Sequence, residues 1–337
     1  MSTQRNHPVY YRSSKDKEPA VYAVKHRNSE VRSASRSGGV FTAISDDFLL
    51  HGGVVYGCVL KNNDKAEHCR AETAAERDRM RGSKYIQSDM GDVFPQIRQD
   101  LESGRKVLFS GTSCQAAGLK GYLGKDYPNL FCVDIVCHGV PSPAVWREYL
   151  KWQSKKGKSE ISSVDFRNKR DFGWAEHIET IWLKNGKRVD SKVFKNLFFS
   201  HCILRPACYK CPYKDVIHPG DITIADYWGI DVAAPGFNDN RGVSLVFLNN
   251  ASGRALFEEI ADKIECIPTK IEDSMQMSLS EPYPVPKNRE KFWSDYRKHN
   301  FGYIARRYGG TGPAAASRKW LSNIKKRLIH VLHGDNG

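Results

Sequence analysis

The fold is decided by residues 106–136, which read KVLFSGTSCQAAGLKGYLGKDYPNLFCVDIV. Two apolar runs in this stretch, at 106–110 and 131–136, predict buried strands, and the segment 115–123 between them predicts a helix. A strand, a helix and a second strand in this order form a βαβ unit. Such units are typical of a buried, mainly parallel sheet.

The segments on either side extend this unit into an α/β fold. Upstream, we predict a strand at 22–25, a helix at 40–50 with Ser37 as its N-cap, and a strand at 54–60. Downstream, a helix follows Pro143, and Asn185-Gly186 marks a hairpin turn among strands at 164–167, 179–183 and 187–189. Further elements are a helix at 194–202, strands at 221–226 and 243–248, and a helix at 253–263. We expect a mainly parallel or mixed sheet flanked by helices, with an inserted β-hairpin region and a helical C-terminal tail.

Three parts of the chain are predicted. Residues 1–20 are polar and expected to be disordered, residues 21–265 form the main domain, and residues 266–337 form a helical extension. Within that extension, 318–332 alternates apolar and basic residues and predicts a basic amphipathic helix. Two uses of this helix stay open: packing on its own domain or a partner, and peripheral contact with a membrane surface.

The composition is typical of a globular protein, with 40% apolar and 27% charged residues. No apolar run is long enough to span a bilayer, and the N-terminus lacks the apolar core of a signal peptide, so we expect a cytoplasmic protein. Lys and Arg exceed Asp and Glu by 14. Without a nucleic-acid-binding motif, this excess indicates a solvated basic surface, or a surface for acidic small molecules or an acidic electron-transfer protein.

The nine cysteines include four on short loops rich in Gly, Pro or small residues. Cys114 and Cys137 follow the two strands of the βαβ unit, and Cys208 and Cys211 form a Cys-x-x-Cys pair. Ends of parallel strands converge on one edge of a sheet, so the first two thiols are expected to meet there. The pattern suits zinc, a redox dithiol or an iron–sulfur cluster, although Pro206 and Pro212 disfavour the dithiol. Buried apolar thiols remain the alternative.

Other segments indicate a functional site more weakly, and each also has a purely structural interpretation. The Ser-rich and Gly-rich turn at 35–39 suits a phosphate at a helix N-terminus, or is a plain turn. The basic stretch 79–88 suits a dinucleotide, or is a surface loop. His138 is a candidate proton donor or a structural histidine, and Asp221 and Asp226 are candidate acid/base groups or structural carboxylates.

Six motifs nevertheless occur together in a specific order between about residues 20 and 260. They are Ser-Gly-Gly at 37–39, Gly-Ser-Lys-Tyr-Ile-Gln-Ser at 82–88, Gly-Thr-Ser-Cys-Gln-Ala-Ala-Gly-Leu at 111–119, Cys-His-Gly-Val-Pro-Ser at 137–142, Cys-Tyr-Lys-Cys at 208–211 and Asp-Ile-Thr-Ile-Ala-Asp-Tyr-Trp-Gly at 221–229. In this set the chain resembles the coenzyme F420 hydrogenase/dehydrogenase beta-subunit family, which includes flavoprotein subunits of archaeal hydrogenases.

The resemblance implies FAD and a [4Fe–4S] cluster in an α/β domain. The implied cluster ligands are Cys114, Cys137, Cys208 and Cys211, with Cys202 in reserve. The implied cofactor-binding residues are Ser37, Gly38, Gly39, Thr42, Ser83, Lys84, Tyr85, Gln87, Thr112 and Gln115. The candidate catalytic residues are His138, Lys84 and Asp226.

One departure from the family pattern concerns the electron source. Many bacterial relatives carry an N-terminal ferredoxin-like module, whereas the first cysteine here is Cys58, so we expect that module to be absent. Electrons would then come from a separate ferredoxin, a reductase subunit or a reduced cofactor such as deazaflavin F420. The prediction is an oxidoreductase acting on a small molecule, by analogy one in polysaccharide synthesis. The alternatives are a flavin-only reductase, a non-catalytic scaffold subunit and, more remotely, a zinc-dependent nucleic-acid binder.

Overall fold

The predicted βαβ unit forms the centre of the main sheet. The protein is described here by a computed structural model covering residues 18–312. The predicted amphipathic helix at 318–332 and most of the predicted disordered N-terminus lie outside these residues. The strands are β1 (Ala20–His26), β2 (Val54–Lys61), β3 (Lys65–Ala71), β4 (Val107–Thr112), β5 (Leu130–Ile135), β6 (Ile161–Asp165), β7 (Glu179–Leu183), β8 (Arg188–Ser191), β9 (Ile222–Asp226), β10 (Ser244–Leu248) and β11 (Ile264–Thr269).

The helices connect and cover these strands. They are α1 (Ser29–Ala34), α2 (Val40–Leu50), α3 (Ala74–Asp78), α4 (Val93–Glu102), α5 (Ser113–Leu123), α6 (Pro143–Gly157), α7 (Lys169–Phe172), α8 (Val193–Phe199), α9 (Ile230–Ala233), α10 (Ala251–Glu259), α11 (Ile271–Ser274), α12 (Arg289–Lys298) and α13 (Phe301–Arg307). Within residues 18–312, no helix is long and apolar enough to cross a bilayer.

The main sheet is mixed. Within residues 18–312 its eight strands have the order β11-β1-β10-β9-β5-β4-β2-β3. The four central strands, β9, β5, β4 and β2, are parallel to one another, and the remaining pairs are antiparallel. The expected α/β class is therefore confirmed, with the parallel part confined to the middle of the sheet.

Helices cover both faces of this sheet because its strand residues alternate between two cores. Along β4, Leu108 joins the core that contains Phe48 of α2 and Phe257 of α10. Its neighbour Phe109 joins the opposite core, with Ile97 of α4 and Leu119 of α5. A helix layer on each face leaves the strand ends as the open side of the unit.

The hairpin region forms a second sheet. In the described part of the chain this antiparallel sheet has the order β6-β7-β8. Its core contains Trp146 and Tyr149 of α6, Phe194 of α8 and Phe301 of α13, all buried. The described part of the helical extension therefore completes the core of the inserted hairpin region.

Several sequence predictions need correction. Gly39, not Ser37, is the N-cap of α2, because the Ser37 hydroxyl instead donates to the Val243 carbonyl oxygen at 2.6 Å. The strands β3 and β11 and the helix α4 were not predicted. The proposed domain boundary at 265 falls inside β11, which pairs with β1 as far as Thr269.

Candidate functional site

A cavity of about 1040 Å³ opens where the central parallel strands end. The carboxyl ends of β4, β5 and β9 reach it through Thr112, Ile135 and Asp226. These strands are parallel neighbours, so the loops that follow them share one edge of the sheet. Because open α/β sheets bind ligands at such an edge, this cavity is the candidate site.

Most of the predicted site residues line this cavity. On its wall lie Ser37, Gly39, Ser83, Lys84, Tyr85, Gln87, Thr112, Cys114, Gln115, Cys137, His138 and Asp226. Gly38, Thr42, Cys208 and Cys211 lie off the wall. These predicted residues come from five separate segments of the chain, so the tertiary fold and not the local sequence brings them together.

The N-terminus of α2 forms one end of the cavity. Gly39 precedes this helix with φ +95°, in the left-handed region that favours glycine, and no described side chain caps the first turn. Gly39, Val40 and Phe41 all face the cavity. A bound anion here would meet free amide groups and the positive end of the helix dipole.

Gly38 and Thr42 support this end from behind. A Cβ atom on Gly38 would lie 2.1 Å from the carbonyl oxygen of Val24, and the Gly38 amide donates to Ser244 Oγ at 2.9 Å. Buried Thr42 accepts a hydrogen bond at Oγ1 from Arg81 Nε at 3.1 Å. The glycine turn is therefore needed for close packing on β1 and β10.

Guanidinium groups make this end cationic. Arg36 and Arg81 both line the cavity. Arg36 Nη1 donates to the Arg167 carbonyl oxygen at 2.7 Å, whereas its buried Nε has no hydrogen-bond partner among residues 18–312. Burial and the nearby charge of Arg167 lower the pKa of Arg36. An anion in the cavity would offset the repulsion between these guanidinium groups.

Lys84 borders the cavity but its ammonium is fully engaged. Its Nζ donates to the carbonyl oxygens of Arg79, Met80 and Arg81 at 3.2, 2.8 and 3.0 Å. An ammonium group has three donors, so none is left over. Burial lowers the pKa of Lys84 to about 8. These contacts favour a role in holding the 79–84 turn over the predicted catalytic role.

Tyr85 and Gln87 link this turn to the rest of the cavity. The Tyr85 ring lies 5.0 Å from the His177 ring and 5.4 Å from the Phe198 ring, measured between centroids. The backbone amide of Gln87 donates to the Pro141 carbonyl oxygen at 3.4 Å. The segment therefore forms an aromatic and polar wall beside the loop that follows β5.

Cys114 and Cys137 lie side by side because of strand register. Thr112 pairs with Ile135 across β4 and β5, and each cysteine follows its strand-end residue by two positions. The Cys114 sulfur lies 3.2 Å from Thr112 Oγ1. Both cysteines line the cavity.

The loop with Cys208 packs on the loop that follows β5. The Arg205 amide donates to the Val140 carbonyl oxygen at 3.0 Å, and the Ser142 amide donates to the Ile203 carbonyl oxygen at 2.9 Å. The Val140 amide in turn donates to the Cys208 sulfur at 3.4 Å. Backbone pairing thus holds the Cys-x-x-Cys loop against the strand-end cysteines.

The four thiols are close enough to influence one another. Burial raises the pKa of Cys137 to about 12, with further increases from Cys114 and Cys208. Burial, Cys114 and Cys208 likewise raise the pKa of Cys211. Lys214, which is 7% exposed and donates to the Cys137 carbonyl oxygen, opposes both shifts. A bound cation would act in the same direction and favour the thiolates.

The cysteines do not form a site for a single ion. Across the described stretch 18–312, no three His, Cys, Asp or Glu side chains are grouped to hold one metal ion. A four-iron cluster is larger than one ion, so its four thiolate ligands surround a wider volume.

Cys202, the reserve ligand, belongs to a different environment. Its buried sulfur donates to Asn288 Oδ1 at 3.3 Å, and its carbonyl oxygen accepts from Trp293 Nε1 at 3.0 Å. It packs in the core of the hairpin region. These contacts leave it without a role at the cavity.

Thr112 and Gln115 cap the helix that carries Cys114. The Gln115 Oε1 atom accepts from the Thr112 amide at 2.9 Å and from its hydroxyl at 3.0 Å. Gln115 Nε2 donates to Ser88 Oγ at 2.7 Å. Both residues line the cavity, and their contacts fix the start of α5.

His138 pairs with a second histidine. The Nε2 atoms of His138 and His201 are 2.8 Å apart, and the Tyr283 ring lies within 4.3 Å of both rings, measured between centroids. Burial, with the nearby His201 and Lys214, lowers the pKa of His138 to about 3. Both rings line the cavity, and one ring donates to the other.

Both candidate aspartates are held in structural contacts. Asp226 accepts from Arg167 Nη1 at 2.7 Å and from Trp174 Nε1 at 2.8 Å. Asp221 accepts from the Cys132 amide at 2.7 Å. With both carboxylate oxygens engaged, Asp226 holds Arg167 in place, and its contacts do not fit a free catalytic base.

We call the region around Cys114, Cys137, Cys208 and Cys211 the cysteine wall. Several residues of the cavity and of this wall were not predicted from the sequence. They are His177, His201, Lys214 and Tyr283. Only Lys214 stood close to a recognised motif, three residues after Cys211. The others reach the site from the hairpin region or the C-terminal segment, so no local pattern could reveal them.

Comparison with known proteins agrees with this architecture. A family model for the C terminus of "Coenzyme F420 hydrogenase/dehydrogenase, beta subunit" matches residues 104–273, which is half of the chain. No curated protein matches. Among solved structures, the fold is similar to a chain from the F420-reducing [NiFe] hydrogenase complex of Methanosarcina barkeri, in a structure obtained by xenon derivatisation. The TM-score is 0.52 at 17% identity, covering 84% of this chain and 94% of that chain.

The matched region contains most of the cavity's cysteine wall. It includes β4, β5 and β9, the strands whose ends open into the cavity, and the four cysteines predicted to be cluster ligands. The similarity in fold covers 84% of the chain, which is more than the family model matches. The chain therefore belongs to the coenzyme F420 hydrogenase/dehydrogenase beta-subunit family.

Proposed function

We propose that the protein is a FAD- and [4Fe–4S]-dependent oxidoreductase that passes electrons between a donor and a small molecule. The observation that supports this most strongly is one cavity with a cationic helix terminus at one end and Cys114 and Cys137 at another wall, with the loop of Cys208 and Cys211 packed behind them. Its volume of about 1040 Å³ lies at the upper end for ligand pockets. It suits a large cofactor together with part of a second molecule.

In this proposal, the α2 end holds the pyrophosphate of FAD. The free amides at the start of α2 and the guanidinium groups of Arg36 and Arg81 supply donors and positive charge. The proximity of the Arg36 and Arg167 guanidinium groups, both on the cavity wall, supports an anion at this end. Tyr85 and Gln87 would border the ring system.

The cysteine wall would hold the cluster through Cys114, Cys137, Cys208 and Cys211. Soft thiolate ligands on loops rich in small residues suit iron–sulfur clusters. Buried Lys214 supports the assignment because a cation beside several thiolates lowers the free-energy cost of burying their negative charge.

The chemistry comes from the bound groups, and the protein positions them. When bound, FAD exchanges hydride or single electrons, and the cluster relays single electrons. His138 and His201 hold a proton between their Nε2 atoms at the wall of the cavity. The rings of Tyr85, Phe198 and Tyr283 form an aromatic wall in this region.

The proposed partner is a separate electron donor. Reduced ferredoxin, a reductase subunit and deazaflavin F420 are the candidates, and a polysaccharide-related substrate stays a prediction from analogy. Anaerobic mixing with reduced ferredoxin or with reduced F420 should bleach the flavin absorption for the true donor. A donor that leaves the flavin oxidised is ruled out.

An anaerobic preparation tests the cofactors directly. We expect a yellow-brown protein with bound FAD and about four iron atoms per chain. FAD without iron would replace the proposal with a flavin-only reductase. A colourless protein that instead captures a partner subunit would indicate a scaffold.

A pair of cysteine variants assigns the ligands. Cys208→Ser should abolish iron binding, whereas Cys202→Ser should keep the iron content of the wild type, because Cys202 packs against Asn288. Iron analysis and the visible spectrum measure both. Full iron retention in the Cys208 variant contradicts the ligand assignment.

A further inference from the structure

We propose that His218 positions the cysteine-bearing segments relative to one another, as the shared hydrogen-bond partner of Ser113 and Asp134. The inference rests on the proposed function, in which those cysteines bind a cluster. It depends on a different observation, namely contacts among buried side chains that do not line the cavity.

The three side chains meet at one ring nitrogen. His218 Nδ1 lies 3.0 Å from Ser113 Oγ and 3.1 Å from Asp134 Oδ2. Their residues are 7%, 2% and 0% exposed, so water does not compete for these contacts. An ionised carboxylate can only accept, so the hydrogen is on Nδ1 and points between the two oxygens.

Each partner belongs to a different cysteine-bearing segment. Ser113 begins α5 and precedes Cys114. Asp134 lies in β5, three residues before Cys137. His218 lies in the loop that leads from the Cys-x-x-Cys pair to β9. One histidine therefore joins all three segments behind the sulfurs.

Asp134 is a fixed anchor for this contact. Its Oδ1 accepts a hydrogen bond from Thr223 Oγ1 at 2.6 Å, and Thr223 Oγ1 accepts from Asn249 Nδ2 at 2.8 Å. The backbone of Gly220 passes so close that a Cβ there would lie 2.9 Å from Asp134 Oδ1. With the carboxylate held on its far side, the His218 contact sets the position of the Cys-x-x-Cys loop.

The geometry excludes a hydrolytic Ser-His-Asp triad. In such a triad the serine and the carboxylate bind opposite ring nitrogens. Here Ser113 and Asp134 contact the same nitrogen, and the buried Nε2 has no hydrogen-bond partner within residues 18–312. What remains is a positioning role like that of the groups that orient metal ligands.

The test compares two substitutions of His218 in the full chain loaded with iron. His218→Leu removes the donor, whereas His218→Asn keeps an N–H donor at the position of Nδ1. Iron release to bipyridine is timed in air, with FAD content measured in parallel. The leucine variant should release iron about tenfold faster, the asparagine variant should stay near wild type, and FAD should be unchanged.

Tyr56→Phe is the matched control, since it removes a similar bond, from the Tyr56 hydroxyl to Asp100 at 2.6 Å. It should leave iron release unchanged. Equal rates for wild type and the leucine variant, failure of asparagine to rescue, or equal acceleration by the control would each overturn the inference. If the leucine variant does not fold, Ser113→Ala takes its place: faster release supports the proposal and an unchanged rate overturns it. Wild-type protein without iron would instead overturn the proposed function.

Discussion

The cysteine wall and the α2 end of the cavity are built in different ways. Because Arg36, Arg81 and Arg167 line the α2 end, we call it the arginine end. At the cysteine wall, strand register and backbone hydrogen bonds bring short loops together, so the functional atoms lie within a few residues of the motifs. At the arginine end, long side chains reach the cavity from residues 36, 81 and 167. Short cysteine side chains lie where their motifs place them, whereas the partners of a long arginine side chain, such as Arg36 with Arg167, depend on the fold.

The largest effect should come from filling the close approach behind the arginine end. In Gly38→Ala the new methyl group meets the Val24 carbonyl oxygen, and the backbone of the turn has to shift. We expect the free energy of unfolding to fall by about 3 kcal/mol, with loss of FAD. Thermal and denaturant unfolding measure this change.

Gly121→Ala is the control for that substitution. A Cβ at Gly121 in α5 would meet no described atom within 4 Å, so it should raise stability by about 0.5 kcal/mol. A Gly38 variant as stable as the wild type would show that the turn can rearrange around the added methyl group without loss of stability. Close packing on β1 would then not be what requires glycine at position 38.

A smaller effect should separate the two regions. Arg36→Gln removes the buried guanidinium whose Nε lacks a partner among the described residues. FAD affinity should fall about tenfold, or roughly 1.4 kcal/mol, while iron content stays unchanged. Fluorescence titration of FAD and iron analysis check the two halves of this prediction.

Arg254→Gln makes the same change of charge on the exposed face of α10. It should leave FAD affinity unaltered. Loss of iron in the Arg36 variant, or equal loss of FAD affinity in the Arg254 variant, would contradict the division of the cavity into two independent regions.

The smallest effect should appear at the cysteine wall. Lys214→Gln removes a buried positive charge beside three of the cysteines. Reduction adds negative charge to the cluster, so its potential should fall by about 30 mV, equivalent to roughly a threefold change in a one-electron equilibrium. Anaerobic redox titration followed by EPR measures the shift.

Lys214→Arg keeps the charge and should keep most of the potential. FAD affinity should be the same in both Lys214 variants and in the wild type. An unchanged potential in the glutamine variant would mean that this lysine serves only to hold the Cys137 carbonyl oxygen.

The strands that sequence analysis missed lie at the two edges of the main sheet. β3 is rich in charged residues and alternates only partly with buried ones, and β11 contains Pro268. Edge strands tolerate both features because only one side of each pairs with another strand of the sheet. The central strands are buried on both faces, so their continuous apolar runs were easy to recognise.

As with the strands, the sequence predicted part of the candidate site. The motifs that carry Cys114, Cys137 and Tyr85 were recognised in the sequence and line the cavity. The catalytic roles predicted for Lys84 and Asp226 fit the structure less well, because both side chains already form hydrogen bonds to neighbouring groups. A motif reveals which residue types are present but not which partners they already have.

By itself the sequence determined the central βαβ unit, the family and the cysteine loops, because these depend on apolar periodicity and on short runs of glycine and cysteine. Three contacts follow only from the three-dimensional structure: Arg36 Nε has no hydrogen-bond partner among residues 18–312, His138 meets His201, and His218 joins three segments. The physical reason is that each of these contacts joins residues far apart in the chain. Such contacts depend on strand register and on which side chains reach a common cavity, and no local pattern encodes either.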